Sequence, residues 1–211
     1  MPITAIDKST DDLTLTITAD FPVPLRRLWD AYADPRQLER FWGPVGCPAT
    51  FTRHDLTTGG RSHFFMTLPD GSVSRGYWEF VALDPLQSFE VRDGFAREDG
   101  VPDPDRPSMR MVFSFTETDS GSRLTTTTFF HSADELEQLL EMGMLEGTES
   151  AMGQIDDVLA DLASFAAGRG TEVQILDDTR VRVSRVIRGS VDQVWRAHHD
   201  PALIRRWMLG P

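Results

Sequence analysis

One cysteine, Cys47, stands in the 211 residues, so an internal disulfide is excluded and nothing points to an oxidising compartment. Lysine is equally scarce: Lys8 is alone, and every other basic residue is arginine, a coding bias that carries no chemistry of its own. Positive charge is short overall, with 21 Lys and Arg against 33 Asp and Glu and a formal net charge of −12. Such a chain lacks the clustered basic surface that a phosphate backbone requires, which excludes nucleic acid as an expected partner, and it disfavours anionic membranes. No apolar run approaches the roughly 20 residues that span a bilayer, so membrane insertion is not expected. The opening Met1-Pro2-Ile3-Thr4 lacks the basic flank and apolar core of a signal peptide, and the cytoplasm is the expected compartment. Chemical signatures are missing too. There is no Gly-x-Ser-x-Gly elbow, no Walker-type loop, no His-x-x-x-His and no Cys-x-x-Cys, so no catalytic residue, cofactor or metal site is assigned.

What is present describes an ordinary globular chain, 40% hydrophobic and 26% charged, long enough for one full domain and part of another. The charge is uneven. Residues 1–167 hold 13 basic and 28 acidic residues, whereas 168–211 hold 8 and 5, and the change falls at Gly168-Arg169-Gly170. An internal repeat begins beyond that boundary. Leu15-Thr16-Ile17-Thr18-Ala19-Asp20-Phe21 returns late in the chain as Val181-Arg182-Val183-Ser184-Arg185-Val186-Ile187. At the same offset Trp29, Ala31, Asp34, Pro35 and Arg40 return as Trp195, Ala197, Asp200, Pro201 and Arg206, and Asp11-Asp12 as Asp177-Asp178. Residues 1–168 therefore read as a complete domain, 169–179 as a linker, and 180–211 as the strand and helices that open a second copy. A lone strand and helix cannot offset their ordering entropy by burial. Two arrangements remedy that: the chain is part of a longer tandem protein, or residues 180–211 dock on, or swap with, another copy as a homodimer.

Within the first copy, Leu13, Leu15 and Ile17 alternate with threonine as in a half-buried strand. Pro22 and Pro24 open a helix carrying Leu25, Leu28, Trp29 and Tyr32, and Asp34-Pro35 caps and restarts a short second one. Six strands follow, at 49–56, 60–68, 73–83, 88–93, 109–117 and 122–131, separated by turns such as Pro69-Asp70-Gly71 and Asp119-Ser120-Gly121, a pattern that favours an antiparallel meander. The Pro-rich stretch 94–108 is too polar for a core. Ser132-Ala133-Asp134-Glu135 forms a capping box for a long amphipathic helix running to Gly168, weakest at Gly143 and Gly147. The fold class is α+β: about seven antiparallel strands, curved around a long C-terminal helix, with two short helices after the first strand.

Several motifs in this order resemble a known family. They are Trp29-x-Ala-x-x-Asp-Pro35, Phe41-Trp42-Gly43-Pro44, Arg75-Gly76-Tyr77-Trp78 with Asp84-Pro85, Ser122-Arg123-Leu124-Thr125, and Phe130-His131-Ser132 through Gly143-Met144-Leu145-Glu146-Gly147. Together they are similar to the START-related helix-grip (SRPBCC) superfamily, in the branch named after the activator of the heat-shock-protein ATPase. The resemblance covers about residues 12–165 and again 180–211. It implies a cavity between sheet and long helix that takes lipids, polyketides or aromatic metabolites. Some members are cyclases and some are co-chaperones, and fold alone does not choose among these.

The candidates for such a cavity are Trp42, His63, Phe65, Trp78, Met111, Phe113, Phe129, His131, Met144 and Met152. Aromatic residues fill any core of this size, but apolar pockets have the same composition, and Met suits surfaces that accept varied shapes. His63 shares a strand face with Phe65, and His131 with Phe129. If either face is the inner one, its histidine would orient a ligand or move a proton. Glu90, Arg92 and Asp93 read either as a solvated strand face or as a source of one buried polar pair, and Cys47 as inert. The expected function is binding of a small apolar ligand. The alternatives are a cyclase- or hydrolase-type enzyme using a cavity His or carboxylate, and a protein-interaction module with a filled core.

Overall fold

The alternation at the start of the chain becomes a strand with one dry side. In β2 (Thr14–Phe21), Leu15, Ile17, Ala19 and Phe21 are buried and the residues between them half-buried. A computed structural model describes residues 2–106, 108–141, 143–160, 172–177, 179–185, 187 and 190–207, which fall into two units, Met1–Ala160 and Asp161–Pro211.

The first unit is an eight-stranded antiparallel sheet in the order β1-β2-β8-β7-β6-β5-β4-β3. Beyond β2 it comprises β1 (Ile3–Ser9), β3 (Ala49–His54), β4 (Arg61–Thr67), β5 (Val73–Asp84), β6 (Ser88–Phe95), β7 (Ser108–Thr118) and β8 (Gly121–Phe129). From β3 to β8 each strand pairs with the next, as short turns between strands require, and β2 closes onto β8 from Thr14–Phe129 to Phe21–Ser122. The eighth strand is β1, one more than the sequence reading counts. It lies at an edge with its middle residues exposed, so it shows no period-two alternation to read. Register breaks at Phe51/Arg53 and Phe80/Ala82 mark bulges, the device that bends a sheet.

Two helices, α1 (Leu25–Ala33) and α2 (Pro35–Leu38), bridge β2 and β3. Asp34 ends the first and caps the second, its Oδ1 accepting the Arg36 N–H at 3.1 Å with Pro35 in the first turn. After β8 the Ser132 hydroxyl accepts the Glu135 N–H at 3.1 Å to start α3 (Ala133–Glu141). The return bond of the expected box goes one residue earlier, the Glu135 carboxylate accepting the His131 N–H at 2.6 Å. The long helix is broken where its glycines suggest: Gly143 has φ of +86°, and α4 (Met144–Ala160) begins beyond it. Gly168, its expected end, lies outside the described residues.

These helices cover the concave side of the sheet, the helix-grip arrangement. The core between them is aromatic. Trp78 is fully buried, with Trp42 4.6 Å away edge-on, Phe113 at 5.8 Å and Phe51 at 5.9 Å, and Phe89 stacks on Phe113 at 4.5 Å. The convex side carries ion pairs instead, Arg123 to Asp20, Arg110 to Glu90 and Arg92 to Glu79.

The second unit contains a hairpin, β9 (Glu172–Asp177) with β10 (Arg180–Ser184), and the helices α5 (Val191–His199) and α6 (Pro201–Trp207). Strand β9 lies inside the span read as a linker. Ser190 and Gln193 cap α5 reciprocally, and Asp200 accepts the Ala202 N–H at 2.8 Å. At the offset of the internal repeat Asp200 is the counterpart of Asp34, and the end residues of α5, Val191 and His199, are the counterparts of Leu25 and Ala33 at the ends of α1.

Candidate functional site

Between the concave face and the helices lies a cavity of about 400 Å³, a size suited to small organic ligands. Met111 and Phe113 reach it from β7, Met66 from β4 and Thr126 from β8. Tyr32 of α1 and the segment Phe41–Pro44 form one side, and Leu139 of α3 with Gly143, Met144, Gly147, Thr148, Ala151, Met152 and Ile155 the other. The room comes from sequence. Gly147 and Thr148 lie one turn before Ala151 on the stripe that also carries Met144 and Met152, so three small residues stand where a filled core would have large ones.

The wall at Phe41–Pro44 is held in place by its own geometry. Gly43 has φ of +112°, and a Cβ there would lie 2.7 Å from the Cys47 carbonyl oxygen. Its carbonyl accepts the Gln154 Nε2–H of α4 at 2.9 Å, and the Val45 N–H is donated to the Ser150 Oγ at 3.2 Å. Arg27 adds a second tie between layers, donating to Gln37 at 2.7 Å and to the Val158 carbonyl at 3.1 Å.

None of the described residues lining the cavity is charged. Two of them bring polar atoms that are buried yet pair with no described protein group, the Trp42 indole Nε1 and the Thr126 Oγ1. Tyr32 is nearly inaccessible, and burial pushes its phenol well above the ordinary range.

Five of the ten sequence candidates meet at this cavity: Trp42, Met111, Phe113, Met144 and Met152. Trp78 stands behind them in the solid core. There its indole N–H is donated to Asp93 at 2.8 Å, and burial raises that carboxyl to about 7, the Trp78 bond opposing the rise. Asp93 is thus the inward-facing member of the charged trio, half-buried beside Trp78. Glu90 and Arg92 have the opposite parity and pair with Arg110 and Glu79 on the convex side. The remaining four candidates lie elsewhere. On β4 the inward residues are Ser62, Phe64 and Met66, which sends His63 and Phe65 to the other face, where the loop at Gly100 approaches the His63 ring. Phe129 is on the convex face, with the Arg110 guanidinium 4.1 Å above its ring. His131 follows the strand, exposed, its Nε2 within 2.9 Å of the Ser108 carbonyl. Among the domain's histidines, it is His54 that packs against core rings: it lies 5.9 Å from Phe80, its nitrogens at 2.8 Å from Ser62 Oγ and 3.1 Å from the Tyr32 carbonyl. Those contacts hold a structural histidine. No group of three or more His, Cys, Asp or Glu among the described residues is placed to hold a metal.

Met66 was legible by parity, since it alternates with Phe64, and the small residues of α4 by their place on an apolar stripe. Thr126 was not, because a run of four threonines at 125–128 presents the same residue to both faces.

Residues 22–160 match the family described as Activator of Hsp90 ATPase homolog 1-like protein. Among solved structures the chain is similar to protein Ms6760 from Mycobacterium smegmatis, at 51% identity over 75% of this chain and 97% of that one, with a TM-score of 0.68. It is also similar to a protein from Arthrobacter aurescens, at 38% identity over 75% and 92%, with a TM-score of 0.70. A Staphylococcus epidermidis protein at 24% identity, covering 75% and 94% with a TM-score of 0.68, shares the fold. No curated protein gives a significant match.

Proposed function

The chain belongs to the Activator of Hsp90 ATPase homolog 1-like family, within the helix-grip superfamily, and on that premise we propose that its first unit binds a small apolar molecule in the cavity between sheet and helices. The observation that carries this reading is the cavity itself: about 400 Å³ of room, lined by methionine and aromatic side chains and kept open by Gly147, Thr148 and Ala151. A core with no ligand to hold gains stability by filling such a space, at about 24 cal/mol per Å³ of void. The enzyme alternative finds less support, because neither His63 nor His131 is among the described residues lining the cavity, and Asp93 is tied to Trp78. The lone Cys47 fits a reducing compartment, and we place the protein in the cytoplasm.

Native mass spectrometry on protein purified from a lysate, followed by denaturing extraction, tests the reading. The expected result is a bound apolar molecule that is absent from an Ala151→Phe variant, whose added ring occupies the cavity. Wild-type protein that carries nothing, and gains no thermal stability from an apolar compound panel, would overturn it.

We further infer that residues 172–207 open a second copy of the same fold. Support comes from the shared positions of the caps and from burial: Leu15, Ile17 and Trp29 are buried in the first unit, while their counterparts Val181, Val183 and Trp195 are 58%, 64% and 64% exposed.

A further inference from the structure

The Trp42 indole N–H and the Thr126 hydroxyl are buried polar groups without a described protein partner, and both belong to residues that line the cavity. Such groups are uncommon in folded proteins, and each calls for an explanation, because burial without a hydrogen bond is costly. Both residues adjoin Phe113. Thr126 lies directly opposite Phe113 in the β7–β8 register, and the Trp42 ring is centred 6.5 Å from the Phe113 ring. The two unpaired groups therefore lie on the Phe113 side of the cavity; elsewhere Met66, Met144 and Met152 line it, and the Thr148 hydroxyl is already donated to the Met144 carbonyl. An indole nitrogen can only donate, whereas a threonine hydroxyl can donate or accept. What suits both at once is an oxygen that accepts. The same lining carries no charge among its described residues, so a carboxylate would enter without a counter-ion and pay the cost of an unpaired buried charge.

We propose, resting on the binding reading above, that the ligand is an uncharged, largely apolar molecule bearing one carbonyl or ether oxygen, which accepts hydrogen bonds from Trp42 and Thr126, and that fatty-acid-like anions are excluded. The two donors select the ligand's head, and the methionines tolerate the shape of its body.

Three compounds of similar skeleton separate this from simple apolar binding: benzophenone, diphenylmethane, which replaces the carbonyl by a methylene, and diphenylacetate at pH 8. Affinities are measured by calorimetry for the full chain and for Thr126→Val and Trp42→Phe. The quantity that matters is the preference for ketone over hydrocarbon and its change on substitution, since the difference in hydration of the two compounds cancels in that comparison. The expected result is a preference that falls about tenfold in Thr126→Val, where shape is kept and the hydroxyl lost, and also falls in Trp42→Phe, with no measurable binding of diphenylacetate. A preference unchanged by both substitutions would overturn the proposal and leave the apolar-binding reading standing, the two groups then being served by water. Tight binding of diphenylacetate would also overturn it. Failure of all three compounds to bind would bring down both readings together.

Discussion

At the scale of single residues, Asp93 is an ionisable group held out of its ordinary state by its surroundings. Its parity on β6 aims it at Trp78 on the concave side, and burial lifts its carboxyl from the ordinary 3.8 to about 7. The consequence for stability has a definite sign. Between pH 4 and 7 the folded chain keeps the proton on Asp93 and the unfolded chain has released it, so stability falls as pH rises through that window and levels off above it. Asp93→Asn removes this titration while leaving an amide oxygen to accept the Trp78 N–H. The variant should be more stable than wild type at pH 8 by roughly 1–3 kcal/mol, with the gain gone by pH 4. Thermal melts of both proteins across that range check it, and an asparagine variant that is less stable at pH 8 would show that the charge is wanted. The sequence carried half of this. It names Glu90, Arg92 and Asp93 together, as a solvated face or the source of one buried polar pair, but period two states only that two faces exist. Which one is dry depends on the partner layer, and His63, Phe65 and Phe129 fall on the face away from the helices, with His131 exposed beyond the end of β8.

At the scale of elements, two glycines shape the cavity and they should behave differently. Gly143 breaks the long helix with φ of +86°, but a Cβ there meets only the Glu146 carboxylate at 3.7 Å. Gly143→Ala therefore costs the left-handed conformation alone, about 1–2 kcal/mol, or a few degrees in Tm for a domain of this size. Gly43 combines φ of +112° with a backbone oxygen 2.7 Å from the added carbon, and the segment it belongs to is bonded to α4. Gly43→Ala should lower Tm by clearly more, and weaken ligand binding as well, since Trp42 must move with the loop. Melting curves and one ligand titration decide it; equal losses for the two variants would mean that the loop yields at no cost. Gly143 was visible in the sequence as a weak point of the long helix, and Gly43 only as part of the Phe41-Trp42-Gly43-Pro44 motif. Helix and strand existence was also legible, because Leu25, Leu28, Trp29 and Tyr32 at helical spacing and the alternating β2 leave no other reading. The eighth strand was not, since an edge strand exposed through its middle has no pattern to show.

At the scale of the whole chain, the two units differ in how they treat the same residue pattern. The first buries Leu15, Ile17 and Trp29 beneath a six-stranded meander and two further helices. The second exposes their counterparts Val181, Val183 and Trp195, together with Val173 and Ile175 on β9. The likeness of 181–206 to 15–40 is what lets the two sets of residues be compared position by position. Apolar side chains gathered on so small a unit form the kind of patch that drives association. The full chain should accordingly show a mass above that of one chain in light scattering, increasing with concentration. A Val183→Glu, Trp195→Glu variant should return to the mass of one chain, since a carboxylate buried in such a contact has no partner. The same substitutions should leave ketone binding and the melting of the first unit unchanged, because the described residues forming the cavity lie within Met1–Ala160. A wild-type chain that stays monomeric at all concentrations would refute the association. A variant that loses the ligand as well would instead show that the second unit contributes to the first unit's site, and the division of labour argued from the cavity would have to be redrawn.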